Sequence, residues 1–309
     1  MTDARPLHTV AVLAAAVLWG TTGTVAHFAP AGSSPLLIGM ATFGIGGLVL
    51  AALSWRAVAR VLRDRGARGW LLAGGAGAVL YPTAYYPAMD LAGVAVGNVL
   101  ALGSGPIFAA ALEWILDGRR PTARWGVATC VAALGVAALA VGSGESTTGA
   151  NPIAGILLAL AAGVGYALYS YAGARLIAGG RSSQGSMAAI FLVASAVMLP
   201  LLVLLGPGPL ASGHGALTLA YLALVPMAAA YLLFGFALRA LTASTATTLA
   251  LAEPVVATLL AVVVVQERLS ALAWLGLAAV AIGIVLVSLP ARRVGARQGP
   301  RLARPRPPA

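Results

Sequence analysis

Ten long apolar stretches run through this chain, and when they are threaded back and forth across a bilayer every arginine except Arg268 falls on one side. Starting from that side, the segments carry Arg5, then the run Arg56–Arg68, then Arg119, Arg120 and Arg124, then Arg175 and Arg181, then Arg239, and finally the tail from Arg292 to Arg306. Arg268, on the other side, sits beside Glu267. Cytoplasmic loops of membrane proteins carry this excess, so both termini are read as cytoplasmic and the chain as a multi-pass protein of the inner (plasma) membrane. A span needs about 20 apolar residues. The stretches lie near 8–28, 35–55, 70–88, 94–116 and 124–142, and then near 153–174, 186–206, 215–238, 244–265 and 271–289. The first continues through Thr21–Ala26 to full length and has a counterpart later in the chain, which favours a span over a removed leader.

Composition leads to the same class independently. Apolar residues make up 60% and charged residues 9%, against about 25% charged in a soluble domain. A net charge of +11 would suggest nucleic acid in a soluble protein. Here the arginines are spread over short loops and a tail, no separate basic domain exists, and no nucleic-acid partner is expected. The single cysteine, Cys130, lies in an apolar run. There is no CxxC or HExxH pattern and only three histidines. No metal site and no cofactor are expected.

The second constraint is an internal repeat. Val99-Leu-Ala-Leu-Gly-Ser-Gly-Pro106 in the fourth stretch matches Thr248-Leu-Ala-Leu-Ala-Glu-Pro254 in the ninth, with one residue extra in the first copy. Arg120-Pro-Thr122 and Trp125-Gly126 return as Arg268-Leu-Ser270 and Leu275-Gly276, and Trp19 returns as Tyr166. The chain is therefore read as residues 1–145, a first five-helix unit, residues 146–290, a second, and residues 291–309, a disordered basic tail. Five is odd, so the second unit enters the bilayer upside down. The expected fold is an all-α integral membrane protein of ten transmembrane helices in two inverted five-helix repeats, an architecture used by secondary transporters.

Leu18-Trp19-Gly20, the Pro106 segment leading to Asp117-Gly-Arg-Arg-Pro-Thr122, and Ala252-Glu-Pro254 leading to Gln266-Glu-Arg-Leu-Ser270 together resemble the EamA family of the drug/metabolite transporter superfamily. The resemblance covers nearly everything except the tail. It implies a transporter, with export of amino acids, other metabolites or drugs as the family's range, and leaves the substrate open. The second copy's Glu267-Arg268 becomes Arg119-Arg120 in the first, so no charge role transfers to Arg119. Thr122 and Ser270 stand where a short turn ends and a span begins, where a hydroxyl caps exposed amides.

Within the spans ionisable groups are scarce. Glu253 lies near the middle of the ninth stretch, where a charged carboxylate costs about 3 kcal/mol or more. It is a candidate for proton coupling and for meeting a cationic substrate; the alternative is a neutral acid hydrogen-bonded to backbone loosened by Pro254. Glu113, with Asp117 at i+4 and Arg120 at i+7, is expected in a wet network at the inner boundary. Gly105, Pro106 and Pro254 are expected to break their helices at mid-depth, where irregular backbone is tolerated if it lines a cavity.

Trp19, Tyr81, Tyr166 and Tyr231 also fall at mid-depth, away from the interfacial belts where aromatics concentrate. Tyr85 and Tyr169 share faces with Tyr81 and Tyr166, and Asn98 lies in the outer third of its span. With Glu253 these residues form the expected substrate site, a cavity that gives each polar ring end a partner. His27 and Tyr86 are expected at the interface.

The expected partners are a small-molecule substrate and the lipid bilayer. Ten spans make a complete carrier and do not forbid a homodimer. A membrane-embedded enzyme such as a lipid-modifying transferase is the alternative, but no convergent cluster of acids, bases or metal ligands is present. The chain has no GxxxxGK[ST] loop and no lysine at all, against an ATP-driven pump in one polypeptide.

Overall fold

The structure is a computed structural model that describes residues 5–144, 149–265 and 269–289. Among these every regular element is helical. Ten long helices are α1 (Arg5–His27), α2 (Pro35–Leu53), α4 (Arg68–Ala92), α5 (Val94–Asp117), α6 (Ala123–Gly142), α7 (Pro152–Ala178), α8 (Ser183–Leu205), α9 (Gly213–Ala237), α10 (Ala243–Val264) and α11 (Ala271–Ser288). A short helix, α3 (Trp55–Arg63), joins α2 to α4. Nine of the ten long helices are apolar enough to cross a membrane; α4, 25 residues long but interrupted by tyrosines, prolines and Asp90, falls outside that set. Glu267, Arg268 and the 291–309 tail lie outside the described residues.

The burial pattern is that of a protein dissolved in lipid. Large side chains point out: Ile115, Ile153 and Val203 are each 75% exposed and Leu204 81%. Small ones point in, and the helices meet where a side chain has been removed. A Cβ on Gly135 would lie 2.7 Å from Val280 N and 2.8 Å from Gly276 O, so α6 and α11 touch backbone to backbone. The same holds for α4 and α7, where a Cβ on Gly77 would lie 2.7 Å from Gly165 O. With no hydrophobic driving force between helices in lipid, close van der Waals packing through small residues is what remains to hold them.

The packing pairs are repeated when the halves are exchanged. Helix α1 lies against α9 and α10, as α7 lies against α4 and α5; α2 faces α8, and α6 faces α11. Polar contacts gather the arginine-bearing turns at one end of the bundle. Arg181 pairs with Asp64 at 2.6 Å and Arg175 with Asp117 at 2.6 Å, while an Arg124 nitrogen donates to the Leu289 carbonyl. At the other end Asn151 N donates to Leu91 O at 3.0 Å.

Local chemistry sets the helix ends. Thr122 and Ser270 cap as expected, their hydroxyls accepting from Trp125 N and Ala273 N at 3.2 Å. The turn between α4 and α5 is a single residue, Gly93 at φ +93°, a backbone conformation that only glycine adopts cheaply.

Two expectations at the arginine-bearing end need correction. The run from Arg56, read from the sequence as one of the short arginine-bearing loops, contains α3, with Val58 and Val61 buried and Trp55 and Leu62 exposed. Glu113 is not in a wet stripe. It is 7% exposed, and its carboxylate accepts from Ser244 N at 3.1 Å and Ser244 Oγ at 2.6 Å. A carboxylate is favoured there because the first amides of α10 have no helical partner. Asp117 turns instead to Arg175 on α7.

Candidate functional site

A cavity of about 350 Å³ lies at the centre of the bundle. All eight residues expected to bind substrate reach its wall: Trp19 from α1, Tyr81 and Tyr85 from α4, Asn98 from α5, Tyr166 and Tyr169 from α7, Tyr231 from α9 and Glu253 from α10. Both halves of the chain therefore contribute.

The helices that carry these groups are irregular where they pass the cavity, but not all in the expected way. Helix α10 does break. Its first segment ends at Ala250, Leu251 and Ala252 form a tight turn with bonds back to Thr248 O and Leu249 O, and a new segment starts at Glu253. Pro254 sits in the first turn of that segment, where its missing N–H costs nothing. Helix α5, by contrast, runs unbroken through Gly105 and Pro106, so the expected interruption there is absent. What Gly105 supplies is room. A Cβ on it would lie 2.5 Å from the ring of Tyr166, so the glycine lets that ring come close against α5. A third irregularity had no place in the sequence expectations: α9 widens to a π-helix over Ala223–Ala229, around Pro226, and brings Pro226 and Met227 to the wall.

The rings form a continuous aromatic lining. Tyr81 stacks on Tyr85 with centroids 5.4 Å apart and meets Tyr166 at 5.7 Å and Tyr169 at 6.2 Å. Trp19 meets Tyr231 edge-on at 5.1 Å. Such tilted and edge-to-face pairs are individually favourable. Two polar links fix ring positions: the Tyr169 and Tyr231 hydroxyls lie 2.8 Å apart, and Tyr85 OH donates to Asn98 Oδ1 at 2.9 Å. Among the described residues Glu253 is the one carboxylate on the wall, and no arginine or histidine shares it. Among the described residues no three His, Cys, Asp or Glu side chains gather as metal ligands.

The wall extends toward one end only. Ala26, Met89 and Val94, at the α1–α2 and α4–α5 turns, belong to it, whereas no residue of the arginine-bearing turns does. On that second side the Tyr169–Tyr231 pair lies over packed side chains, with Phe234 fully buried beside Trp19 and Tyr231.

Several wall residues were missed in the sequence. Phe43 on α2 touches Tyr81 at 5.9 Å and Tyr231 at 6.4 Å. Its mid-span position was the available signal, passed over because a phenyl ring needs no polar partner. Tyr86, expected at the interface, lines the cavity with its ring seated where Gly39 on α2 lacks a side chain.

A membrane-embedded helical bundle built from two related halves around a central aromatic cavity is the structural class of a transporter. The chain belongs to the EamA-like transporter family, whose sequence profile matches residues 8–141 and again 153–289, one repeat in each half. It is 33% identical over 291 residues to the uncharacterized transporter YwfM of Bacillus subtilis (strain 168), covering 93% of this chain and 95% of that one. A solved crystal structure, described only as that of a protein, superposes with a TM-score of 0.76 at 23% identity, over 90% of this chain and 95% of the other. That likeness is one of fold.

Proposed function

We propose that this transporter is a secondary carrier that works by alternating access and exports small organic solutes carrying one positive centre on an aromatic or apolar body. The observation that carries the proposal is the composition of the wall: rings on several sides, one carboxylate, and no cation. Aromatic faces attract cations, and Glu253 supplies the one carboxylate among the described residues of the wall. An organic anion would meet neither. An amino acid would satisfy its ammonium and leave its carboxylate without a basic partner. The outward direction rests on the family resemblance.

Ten spans in two inverted halves, with both termini in the cytoplasm, are part of this proposal. The exchange symmetry of the helix packing supports the two halves, and the clustering of arginines at one end supports the orientation. In that orientation the cavity reaches toward the outside, and the Glu113–Ser244 bonds lie at the closed cytoplasmic end. Glu253 would bind a proton and the solute's cation in turn, coupling the two. Among the described residues the wall holds no second carboxylate and no histidine beside Glu253.

Three indoles of different charge test the proposal in liposomes containing the purified protein: tryptamine, tryptophan and indole-3-acetate. Saturable counterflow should be strongest for tryptamine and absent for indole-3-acetate, and Glu253→Gln should abolish the dependence of tryptamine flux on a proton gradient. Equal flux of all three would refute the charge preference. Failure of any amine or amino acid to show counterflow would refute the carrier itself.

A further inference from the structure

The arginine-bearing end holds a second cavity, of about 690 Å³, separate from the solute site. Arg60 of α3, Arg181 of the α7–α8 turn and Arg239 just beyond α9 line it together, and among the described residues no acidic side chain is on its wall. Arg181 is committed to Asp64 at 2.6 Å. Arg60 uses its Nε on the Arg56 carbonyl at 3.3 Å, leaving its terminal nitrogens, and the Arg239 guanidinium lies 5.4 Å over the Phe236 ring. With Arg181 neutralised by Asp64, the Arg60 and Arg239 guanidiniums are brought to one concavity from two separate segments and repel one another unless an anion is placed between them. The N-terminus of α8 opens on the same space at Ser183 and Gln184, with the Gly185 amide already capped by Ser182 Oγ at 3.2 Å.

The surroundings identify the kind of anion. Leu232 and Phe236, one helical turn apart on α9, form an apolar wall that leads away from the arginines along the bundle. Helix α3 carries Arg60 on one face and Trp55 and Leu62, which are 62% and 40% exposed, on another, the make-up of a helix lying in a membrane interface. Cations at headgroup depth beside an apolar wall suit a molecule with a phosphate and acyl chains. We propose that this cavity is a specific site for the headgroup of an anionic phospholipid, held by Arg60 and Arg239. The site joins α3 of the first half to α8 and α9 of the second, so a bound lipid bridges the halves.

The test is native mass spectrometry of the full-length protein in detergent, titrated with dioleoyl phosphatidylglycerol, dioleoyl phosphatidylcholine or inorganic phosphate. Each arginine near a membrane surface favours an anionic lipid by about 1 kcal/mol, which is about fivefold. One phosphatidylglycerol should therefore bind about 25-fold tighter than phosphatidylcholine. Arg60→Gln with Arg239→Gln should remove that preference. The charge-matched pair Arg63→Gln with Arg120→Gln, exposed at the same end but outside the cavity, should keep it. Equal loss in both pairs would reduce the effect to general surface charge and overturn the site. No preference in the unmodified protein would overturn it as well, and millimolar phosphate displacing the lipid would reassign the cavity to a free anion. Should the double variant not accumulate, the single variants Arg60→Gln and Arg239→Gln decide: each should lower the preference about fivefold, and no change in either would overturn the proposal.

Discussion

Replacing Gly165 by alanine should loosen the α4–α7 crossing that positions the cavity's tyrosines. A Cβ at Gly165 would stand 2.8 Å from Gly77 O, 2.9 Å from Tyr81 N and 3.2 Å from Tyr81 Cα. All are backbone atoms within a helix, so no side chain can rotate away. Restoring ordinary van der Waals contact requires the helices to part by about 0.6 Å, and overpacking of this kind costs about 1–3 kcal/mol. Alanine also gains up to about 1 kcal/mol of helix propensity over glycine, so the packing cost is best read against a second variant. Gly23→Ala provides it: Gly23 lines the cavity, and a Cβ there meets nothing within 4 Å. The propensity gain is shared and only Gly165→Ala carries the clash. In thermal unfolding of the purified protein, Gly165→Ala should melt roughly 2–6 °C below Gly23→Ala, at about 2 °C per kcal/mol for a chain of this size. Gly23→Ala should keep or raise the melting temperature while its methyl group, entering the solute space, changes KM. Equal melting temperatures would refute the backbone-contact account of the crossing.

Three further outcomes follow from single contacts. Tyr231→Phe leaves the Tyr169 hydroxyl unpaired and should cost about 1–3 kcal/mol, whereas Tyr169→Phe with Tyr231→Phe should recover much of it; additive losses in thermal unfolding would count against the pair. Glu113→Gln should destabilise by about 1.5–3 kcal/mol, because a charged acceptor for the Ser244 amide and hydroxyl is replaced by a weaker one; an unchanged melting temperature would refute a stabilising role for the Glu113–Ser244 bonds. The Asp64 carboxyl is held below its usual value, first by the Gly66 amide and then by Arg181. A lowered pKa contributes stability above the unfolded carboxyl's value of about 3.9 and loses it as pH falls through the lowered one. The stability difference between the protein and Asp64→Asn should therefore hold constant from pH 7 to pH 5 and shrink only in stronger acid.

The features legible in the sequence were those set by composition and register. The long helices follow from apolar length, and of the eight residues that meet at the cavity Trp19, Tyr81, Tyr166, Tyr231 and Glu253 were found because an indole, a phenol or a carboxylate at mid-depth needs a partner, Tyr85 and Tyr169 because they share faces with two of these, and Asn98 as an amide in the outer third of its span. What escaped depended on neighbours. In α3, Trp55, Val58, Val61 and Leu62 have helical spacing between the arginines, but the density of charge read as loop. Glu113 was assigned to its own helix surface because only residues near it in sequence were visible; its partner, Ser244, comes from the other half of the chain. Pro106 shows a limit of another kind, since a proline can sit inside a continuous helix, and only the packing decides whether the backbone parts there.

The seam between α6 and α11 lies away from the solute cavity and admits no added atom at Gly135 or Gly276, nor at Gly283, where a Cβ would lie 2.7 Å from the Ala128 carbonyl. Tolerance to mutation should accordingly be lowest far from the chemistry and higher around the solute. Drift and selection can retune the rings and the single acid, and so change the cargo, while this inflexible spine preserves the fold from one lineage to the next.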